Sequence, residues 1–161
     1  MESNFIFNKD FDAASTYVMK IFKADVSTVW NYFAKSELLD QWWGPKPWKS
    51  ETISQDFEEG GFWFYAMVGP NGERGYSKFE YGEITEHRSL DWLSAFADEK
   101  GNINEDFPRS KWLIGFTGVE EGTKLTINIH YHSQEMMKKI MEMGFEGGFT
   151  MGLNQLEELI G

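Results

Sequence analysis

The sequence predicts an α+β domain in which one curved antiparallel sheet packs against a long C-terminal helix. The middle of the chain holds short runs rich in β-branched and aromatic residues, separated by glycine-containing turns. The C-terminal segment instead repeats apolar residues at helical spacing. A sheet and a helix that bury their apolar faces against each other form a two-layer domain. The 161 residues contain no linker, so we expect a single domain over residues 1–161.

The first elements are a strand and two short helices. Residues 16–22 are β-branched and aromatic, which predicts the first strand. Asp25 is placed to cap a helix that follows it. Ser36 begins a second short helix over residues 37–42, which the glycine and prolines of residues 44–47 must end. The apolar face of the first helix is Val26, Val29, Trp30 and Phe33.

Six further strands complete the predicted sheet, which has about six to seven strands in total. Residues 69–72 are a strong turn signal, and residues 98–108 form a polar, irregular loop. Residues 120–122 join the last two strands as a hairpin. The predicted strands are residues 51–57, 62–68, 75–86, 90–97, 111–119 and 124–132.

The last predicted element is a long helix with a break in it. Ser133 is placed to cap this helix, and glycines at 144, 147 and 148 predict a break or kink. The apolar residues after the break are Phe149, Leu153, Leu156 and Ile160.

Composition excludes several classes of function. The formal net charge is −11, which would repel nucleic acid and anionic membranes. The chain has no cysteine, so neither disulfides nor thiolate chemistry contributes. No apolar stretch is long enough to span a membrane, and residues 1–5 do not have the pattern of a signal peptide. We therefore expect a cytoplasmic protein.

Several segments, in order, resemble a known family. They are residues 24–30, 38–45, 56–61, 122–127, 147–149 and 153–156. The most specific are the Gln-Trp-Trp-Gly-Pro sequence at 41–45 and the Asp-x-x-x-Gly-Gly turn at 56–61. The chain is similar to bacterial proteins related to the C-terminal domain of the activator of heat-shock protein 90 ATPase, within the START-like, helix-grip (SRPBCC) superfamily. The resemblance implies a sheet wrapped around the last helix, an internal cavity and no conserved reaction.

We expect the inward-facing aromatic residues to line that cavity. Residues i, i+2 and i+4 of a strand share a face, so alternate residues of several strands point towards the last helix. Ser94 is a candidate polar anchor beside the tyrosines, and Gly148 and Gly152 leave space on the helix. The expected cavity lining is Trp42, Trp43, Trp63, Tyr65, Met67, Tyr76, Tyr81, Trp92, Phe96, Trp112, Ile114, Phe145 and Phe149.

For any single member of this set, ordinary packed core is the alternative reading. The adjacent Trp42 and Trp43 point about 100° apart on a helix, so one enters the core and the other caps the pocket mouth or lies at the surface. Sequence does not say which. His130 and His132 share a strand face that we expect to be solvent-exposed, and they lack the further ligands a metal site needs. We expect no metal and no cofactor.

Three functions remain open. The first is binding of a small apolar or aromatic ligand, lipids included, in the internal cavity. The second is a cochaperone-like, stress-related interaction module, which only the resemblance and the acidic surface suggest. The third is a cyclase or hydrolase, although no nucleophile elbow, zinc-binding helix or phosphate loop is present. Separately, Phe62 and Phe64 make the outer register of their strand apolar, which predicts a homodimer.

Overall fold

The computed structural model describes residues 4–161. The expectation about a signal peptide therefore falls mostly outside the described residues. The described chain has four helices, α1 (Val26–Ala34), α2 (Ser36–Leu39), α3 (Gln134–Glu142) and α4 (Phe145–Ile160). Its strands are β1 (Phe5–Asp10), β2 (Ser15–Phe22), β3 (Lys49–Asp56), β4 (Phe62–Val68), β5 (Arg74–Thr85), β6 (Ser89–Ser94), β7 (Phe96–Ala97), β8 (Ser110–Val119) and β9 (Gly122–His130).

The strands form one antiparallel sheet in the order β1-β2-β9-β8-β6-β5-β4-β3, and β7 pairs with β5. The α+β class, with the last helix held by the sheet, is confirmed. The register between β5 and β6 shifts between Tyr81 and Ile84, and the β3–β4 register shifts between Thr52 and Ser54. Such irregularities bend a strand and increase its twist, which is how a sheet curves around a helix.

The helix ends follow the predicted chemistry. Asp25 caps α1 by accepting a hydrogen bond from the Thr28 amide at 2.9 Å, and Ser133 caps α3 by accepting one from the Met136 amide at 3.0 Å. The predicted break lies at Gly144, whose φ of +85° suits a residue without Cβ. Gly147 and Gly148 lie inside α4 instead.

The number of strands is higher than predicted. Strand β1 is not evident from the sequence, because Asn8, Lys9 and Asp10 in its second half have low strand propensity. This strand forms by pairing with β2. Residues 90–97 were predicted as one strand, but the chain leaves the β6 ladder after Ser94 and pairs with β5 as β7.

The second short helix ends earlier than predicted, at Leu39. The next residue, Asp40, turns its carboxylate towards β3. It accepts hydrogen bonds from the Ser50 hydroxyl at 2.9 Å and from the amide and hydroxyl of Thr52 at 3.0 and 2.8 Å. These bonds fasten the chain to the sheet just before Trp42 and Trp43.

Helices α1 and α2 fill one end of the space inside the sheet. Phe33 is fully buried, with its ring 5.0 Å from Trp42 and 5.4 Å from Phe116 of β8. Trp30 adds an edge-to-face contact with Phe116 at 5.2 Å. Aromatic pairs in these geometries add to the stabilisation from burial alone. The space between α1 and the sheet is therefore filled by side chains, and the depression lined by Trp30, Gln55 and Phe57 at this end is an open surface groove.

The apolar outer register of β4 is covered partly by the chain itself. Phe64 is only 7% exposed. A Cβ placed on Gly101, in the loop after β7, would lie 3.5 Å from the Phe64 ring. The Lys78 ammonium group lies 4.8 Å from the centre of the Phe62 ring. Residues of the same chain thus cover part of the surface from which a homodimer was predicted. Dimerisation stays a prediction.

Candidate functional site

A cavity of about 230 Å³ lies at the other end of the space between the sheet and α4. Its walls come from β4, β5, β6, β7 and β8, from α3 and α4, from Tyr131 after β9, and from the loops around Pro45 and Pro108. Most of its surface is apolar, as is usual for small-molecule sites. Neither α1 nor α2 reaches this end, so the space stays open.

Seven of the thirteen residues expected at the cavity line it. They come from β4, β7, β8, α4 and the loop after α2. They are Trp43, Tyr65, Met67, Phe96, Trp112, Phe145 and Phe149.

Four others point inwards but lie too deep to reach the cavity. Trp42 is fully buried beside α1, where its indole N–H donates to the Tyr32 carbonyl at 2.9 Å. Trp63 is held towards β3, because its indole N–H donates to the Thr52 hydroxyl at 2.9 Å. Trp92 and Ile114 are buried and do not line the cavity, and Trp92 packs behind Trp43 and Phe79 at ring distances of 5.8 and 5.1 Å. Strand alternation places a residue on a face but does not give its depth.

The two remaining expectations were wrong for different reasons. Tyr76 faces the opposite side of β5, since Ser77 and Phe79 are the residues that point inwards. There it packs against Phe64 at a ring distance of 6.1 Å. Tyr81 is buried on the inner side, but its hydroxyl accepts a hydrogen bond from Gln55 at 3.0 Å, away from the cavity.

Several residues that line the cavity were not predicted from the sequence. Ser77 stands two positions before Phe79, and Ser110 two positions before Trp112, so the strand period could have found both. Ile140 lies on α3, a wall that the strand pattern does not reveal. The missed residues are Pro45, Ser77, Phe79, Ala95, Pro108, Ser110, Tyr131 and Ile140.

Trp43 is the central side chain of the cavity floor. It makes edge-to-face or tilted ring contacts with Trp63, Trp92 and Trp112 at 5.3, 5.8 and 5.9 Å. Its indole N–H donates to the Tyr65 hydroxyl at 2.8 Å. Both tryptophans of the pair are buried, so neither lies at the surface, and Trp43 is the one that meets the cavity.

Two tyrosine hydroxyls at the cavity stay protonated at neutral pH. Burial raises the pKa of Tyr65 to about 12, although hydrogen bonds with Trp43 and Ser77 favour the ionised form. Burial also raises the pKa of Tyr131 to about 12, against the hydrogen bond with Thr16. Both phenols therefore serve as neutral hydrogen-bonding groups.

The remaining polar groups at the cavity are also uncharged. Ser94 donates to the Ser110 carbonyl at 3.3 Å, and none of the described lining residues carries a charge. Among residues 4–161, no group of three or more metal-ligating side chains is gathered. His130 and His132 are exposed, as predicted. Over the same residues, no helix combines the length and hydrophobicity needed to cross a membrane.

Hydrogen bonds of Gln155 join helix α4 to the loop that carries Trp43, and we call these bonds the clasp. The Gln155 amide donates to the carbonyls of Trp42 and Gly44 at 3.0 and 2.8 Å and accepts from the Lys46 amide at 2.9 Å. Gly152 permits this approach, since a Cβ there would lie 3.3 Å from the Trp42 carbonyl oxygen. Because glycine has no side chain, α4 comes close to this loop at Gly152. At Gly148, which lines the cavity, the absence of a side chain leaves space.

A curved antiparallel sheet that holds a C-terminal helix over an internal cavity defines the helix-grip fold of the START-like superfamily. Residues 23–161 match the sequence profile of the family described as Activator of Hsp90 ATPase homolog 1-like protein. The chain belongs to this family. The resemblance found in the sequence is therefore confirmed.

Solved structures of bacterial proteins share the fold over nearly the whole chain. Protein Ms6760 from Mycobacterium smegmatis is 30% identical, with 97% of this chain and 96% of that one covered and a TM-score of 0.89. A protein from Arthrobacter aurescens is 29% identical, with 96% and 90% covered and a TM-score of 0.90. CalU16 from Micromonospora echinospora, at 18% identity, 94% and 82% coverage and a TM-score of 0.62, shows the fold alone. The comparison with curated proteins found no match.

Proposed function

We propose that this protein binds a small apolar or aromatic molecule in the cavity between the sheet and α4. The observation that carries the proposal is the contrast between a solid end, filled by α1 and α2, and an empty end walled by Trp43, Trp112 and Phe149. A core that only stabilises the fold is close-packed, with few voids larger than a water molecule.

The volume of the cavity supports an organic guest. An apolar cavity of about 150 Å³ holds benzene, and this one, at about 230 Å³, is larger. Aromatic walls stabilise a flat guest by burial and by ring–ring contacts. A guest of one or two rings is the size that the space accepts.

The titratable groups at the cavity favour binding over acid–base catalysis. A general acid or base works best with a pKa near the operating pH. The tyrosines at the cavity, with their pKa raised to about 12, do not exchange protons near neutrality. A cyclase or hydrolase would have to work through the shape of the cavity alone.

A thermal-shift screen of hydrophobic and aromatic compounds tests the proposal. A guest at 100 times its dissociation constant should add about 2.7 kcal/mol to the free energy of unfolding. Gly148→Leu should abolish the shift, because its side chain would extend from α4 into the cavity. Its Cβ would lie 3.7 Å from Pro45, an ordinary contact, so the variant should fold.

Gly147→Leu is the matched control. It makes the same change one position earlier on α4, where a Cβ meets nothing within 4 Å and the residue is exposed. It should leave every thermal shift unchanged. A panel without any hit, or hits that survive Gly148→Leu unchanged, would refute the proposal.

The family description favours a second candidate, a cochaperone-like module in the stress response. The net charge of −11 would serve docking to a basic surface on a chaperone. The test is the ATPase rate of the purified chaperone with and without this protein. An unchanged rate and no binding would exclude this candidate. A cytoplasmic location stays a prediction in both cases.

A further inference from the structure

Five hydroxyl groups form a band across the inner face of the sheet at the cavity. Tyr65 on β4 stands directly opposite Ser77 on β5, and Ser94 on β6 stands opposite Ser110 on β8. Tyr131, just after β9, ends the band. All five line the cavity. Each comes from a different part of the sheet, and we call this set the hydroxyl band.

The two pairs are staggered by one step of the sheet. Ser77 lies in register with Phe96 rather than with Ser94, so the band runs diagonally. Diagonal neighbours across two strands lie about 7–8 Å apart. That spacing is comparable to the separation of substituents on a fused two-ring molecule, so one flat guest can meet more than one hydroxyl.

The wall that faces the band is aromatic and flat. Phe145 and Phe149 on α4 stack with a ring distance of 5.4 Å and an interplanar angle of 11°. Trp112 of β8, on the sheet side two residues after Ser110, meets both of them edge-on, at 81° and 89°. The helix side of the cavity is therefore apolar, whereas the sheet side carries the hydroxyl band among apolar residues such as Phe79 and Trp112, which fits an aromatic guest with one polar edge.

The groups of the band can both donate and accept. The Tyr65 oxygen already accepts from Trp43 and shares a hydrogen bond with Ser77, Tyr131 shares one with Thr16, and Ser94 already donates to the Ser110 carbonyl. A hydroxyl has one hydrogen and two lone pairs, so capacity remains at each of them. Hydroxyls of this kind can satisfy the amide, carbonyl or phenol of a neutral guest.

A charged guest should bind more weakly than a neutral one. None of the described residues at the cavity carries a positive charge that could pair with an anion. Moving a carboxylate out of water without a partner is far more costly than moving a neutral polar group that is hydrogen-bonded. The hydroxyl band replaces the lost hydration of a neutral polar group but not that of a carboxylate.

We infer that the cavity selects a neutral aromatic molecule with an oxygen-bearing polar group on one edge and rejects the carboxylate with the same skeleton. The inference rests on the proposed function and names the chemical class of the guest. Aromatic amides, phenols and ketones belong to this class, whereas aromatic and fatty acids in their ionised form do not.

Three matched probes test the inference: naphthalene, 2-naphthamide and 2-naphthoate. Their dissociation constants are measured at pH 7.5 by NMR titration of the full chain. We expect 2-naphthamide to bind at least tenfold more tightly than naphthalene and at least tenfold more tightly than 2-naphthoate. The amide and the carboxylate have nearly the same shape, so their difference reports charge.

The net negative charge of the protein also repels an anion, and salt separates the two causes. At 0.5 M salt, charges on the surface are largely screened, while interactions in a buried site are much less affected. The preference for the amide should therefore persist at 0.5 M salt. If it disappears, surface repulsion is the cause and the inference is wrong.

Removing hydroxyls from the band should remove the preference for the amide over naphthalene. The double variant Ser77→Ala/Ser110→Ala should weaken 2-naphthamide binding at least fivefold and leave naphthalene binding unchanged. Ser89→Ala, at an exposed position of β6, is the control and should change neither. Equal losses for both probes would show that the band only shapes the cavity, which would overturn the inference.

The outcomes also separate this inference from the proposed function. If naphthalene or 2-naphthoate binds as tightly as 2-naphthamide, the protein is a binder without the inferred selectivity. If none of the three binds while other compounds give thermal shifts, the inferred class is wrong and the binding function stands. If no compound of either set binds, both fail.

Discussion

The two ends of the space inside the sheet use similar residues and reach opposite results. At the solid end, Phe33 and Trp30 of α1 reach down onto Phe116 at ring distances of 5.4 and 5.2 Å. At the cavity end, Phe145 and Phe149 stack on each other instead of filling the space below them. Both ends have aromatic walls.

The difference lies in what the sheet offers opposite the helices. At the solid end the inward positions are large, such as Phe116 and Leu125. At the cavity end small polar residues, Ser77, Ser94 and Ser110, stand between the large ones. An aromatic-rich composition is therefore no guide to which end is hollow, because the small residues opposite the rings decide it.

The largest expected effect is a loss of stability from a substitution at the solid end. Phe33→Ala should lower the free energy of unfolding by about 3–5 kcal/mol, since it leaves a cavity among fully buried rings. Phe145→Ala, at the cavity end, should cost only about 1–2 kcal/mol, because its ring is partly exposed and already borders a void. Urea denaturation measures both. Equal losses would contradict the distinction between the two ends.

Alkaline pH should lower the free energy of unfolding through the buried tyrosines, two of which lie at the cavity, while burial also raises the pKa of Tyr81 away from it. Tyr65 and Tyr131 have folded pKa values of about 12, above the ordinary value of 10.0. Between these values the unfolded phenol ionises and the folded one does not. The stability that each buried phenol contributes is therefore present below pH 10 and falls by about 1.4 kcal/mol per pH unit towards pH 12.

Urea midpoints measured from pH 9 to pH 12 check this slope. Tyr65→Phe has no ionisable group at that position, so its stability should fall less steeply, and Tyr131→Phe should behave in the same way. A variant curve parallel to that of the wild type would show that other groups cause the alkaline loss.

Next in size is the clasp that holds α4 to the loop of Trp43. Gln155→Ala leaves the Lys46 amide and the Trp42 and Gly44 carbonyls without their partner. We expect a loss of about 2–3 kcal/mol and faster hydrogen exchange at the Lys46 amide. Glu158→Ala, exposed on the same helix, should stay within about 0.5 kcal/mol of the wild type. Unchanged exchange at Lys46 would show that the clasp is not needed.

The smallest effect distinguishes two glycines of α4. Gly147→Ala should stabilise the protein by about 0.5–1 kcal/mol, because the site is open and alanine favours the helix. Gly152→Ala should not, since its Cβ would press to 3.3 Å from the Trp42 carbonyl oxygen. Thermal unfolding of the two variants gives the comparison. Stabilisation by both would mean that the contact at Gly152 relaxes without cost.

The fold was predictable because its signals are local. The cap at Asp25, the aromatic run of β4 and the hairpin after Val119 each point to the element that forms. The strand β1 was not predictable in this way, since its polar half becomes a strand only by pairing with β2. Tertiary pairing overrides weak local preference.

The cavity lining was predictable in part, because the sequence gives the face on which a side chain lies but not how deeply it is buried. Trp63 and Tyr65 share one face of β4, yet only Tyr65 reaches the cavity. Which of two such residues is deeper depends on register and on how far α1 fills the space, and neither is a local property. Tyr76 is different, because strict alternation with Phe79 would have placed it on the outer face.

The ring of indoles around Trp43 gives the protein optical properties of its own. Four other tryptophans have ring centres within 5.9 Å of it. Chromophores this close couple their excited states, so the near-ultraviolet circular dichroism should be strong and sensitive to small rotations of any one ring. A molecule that touches Trp43 or Trp112 would change the spectrum of the whole set, and occupancy could be read without a dye or a label.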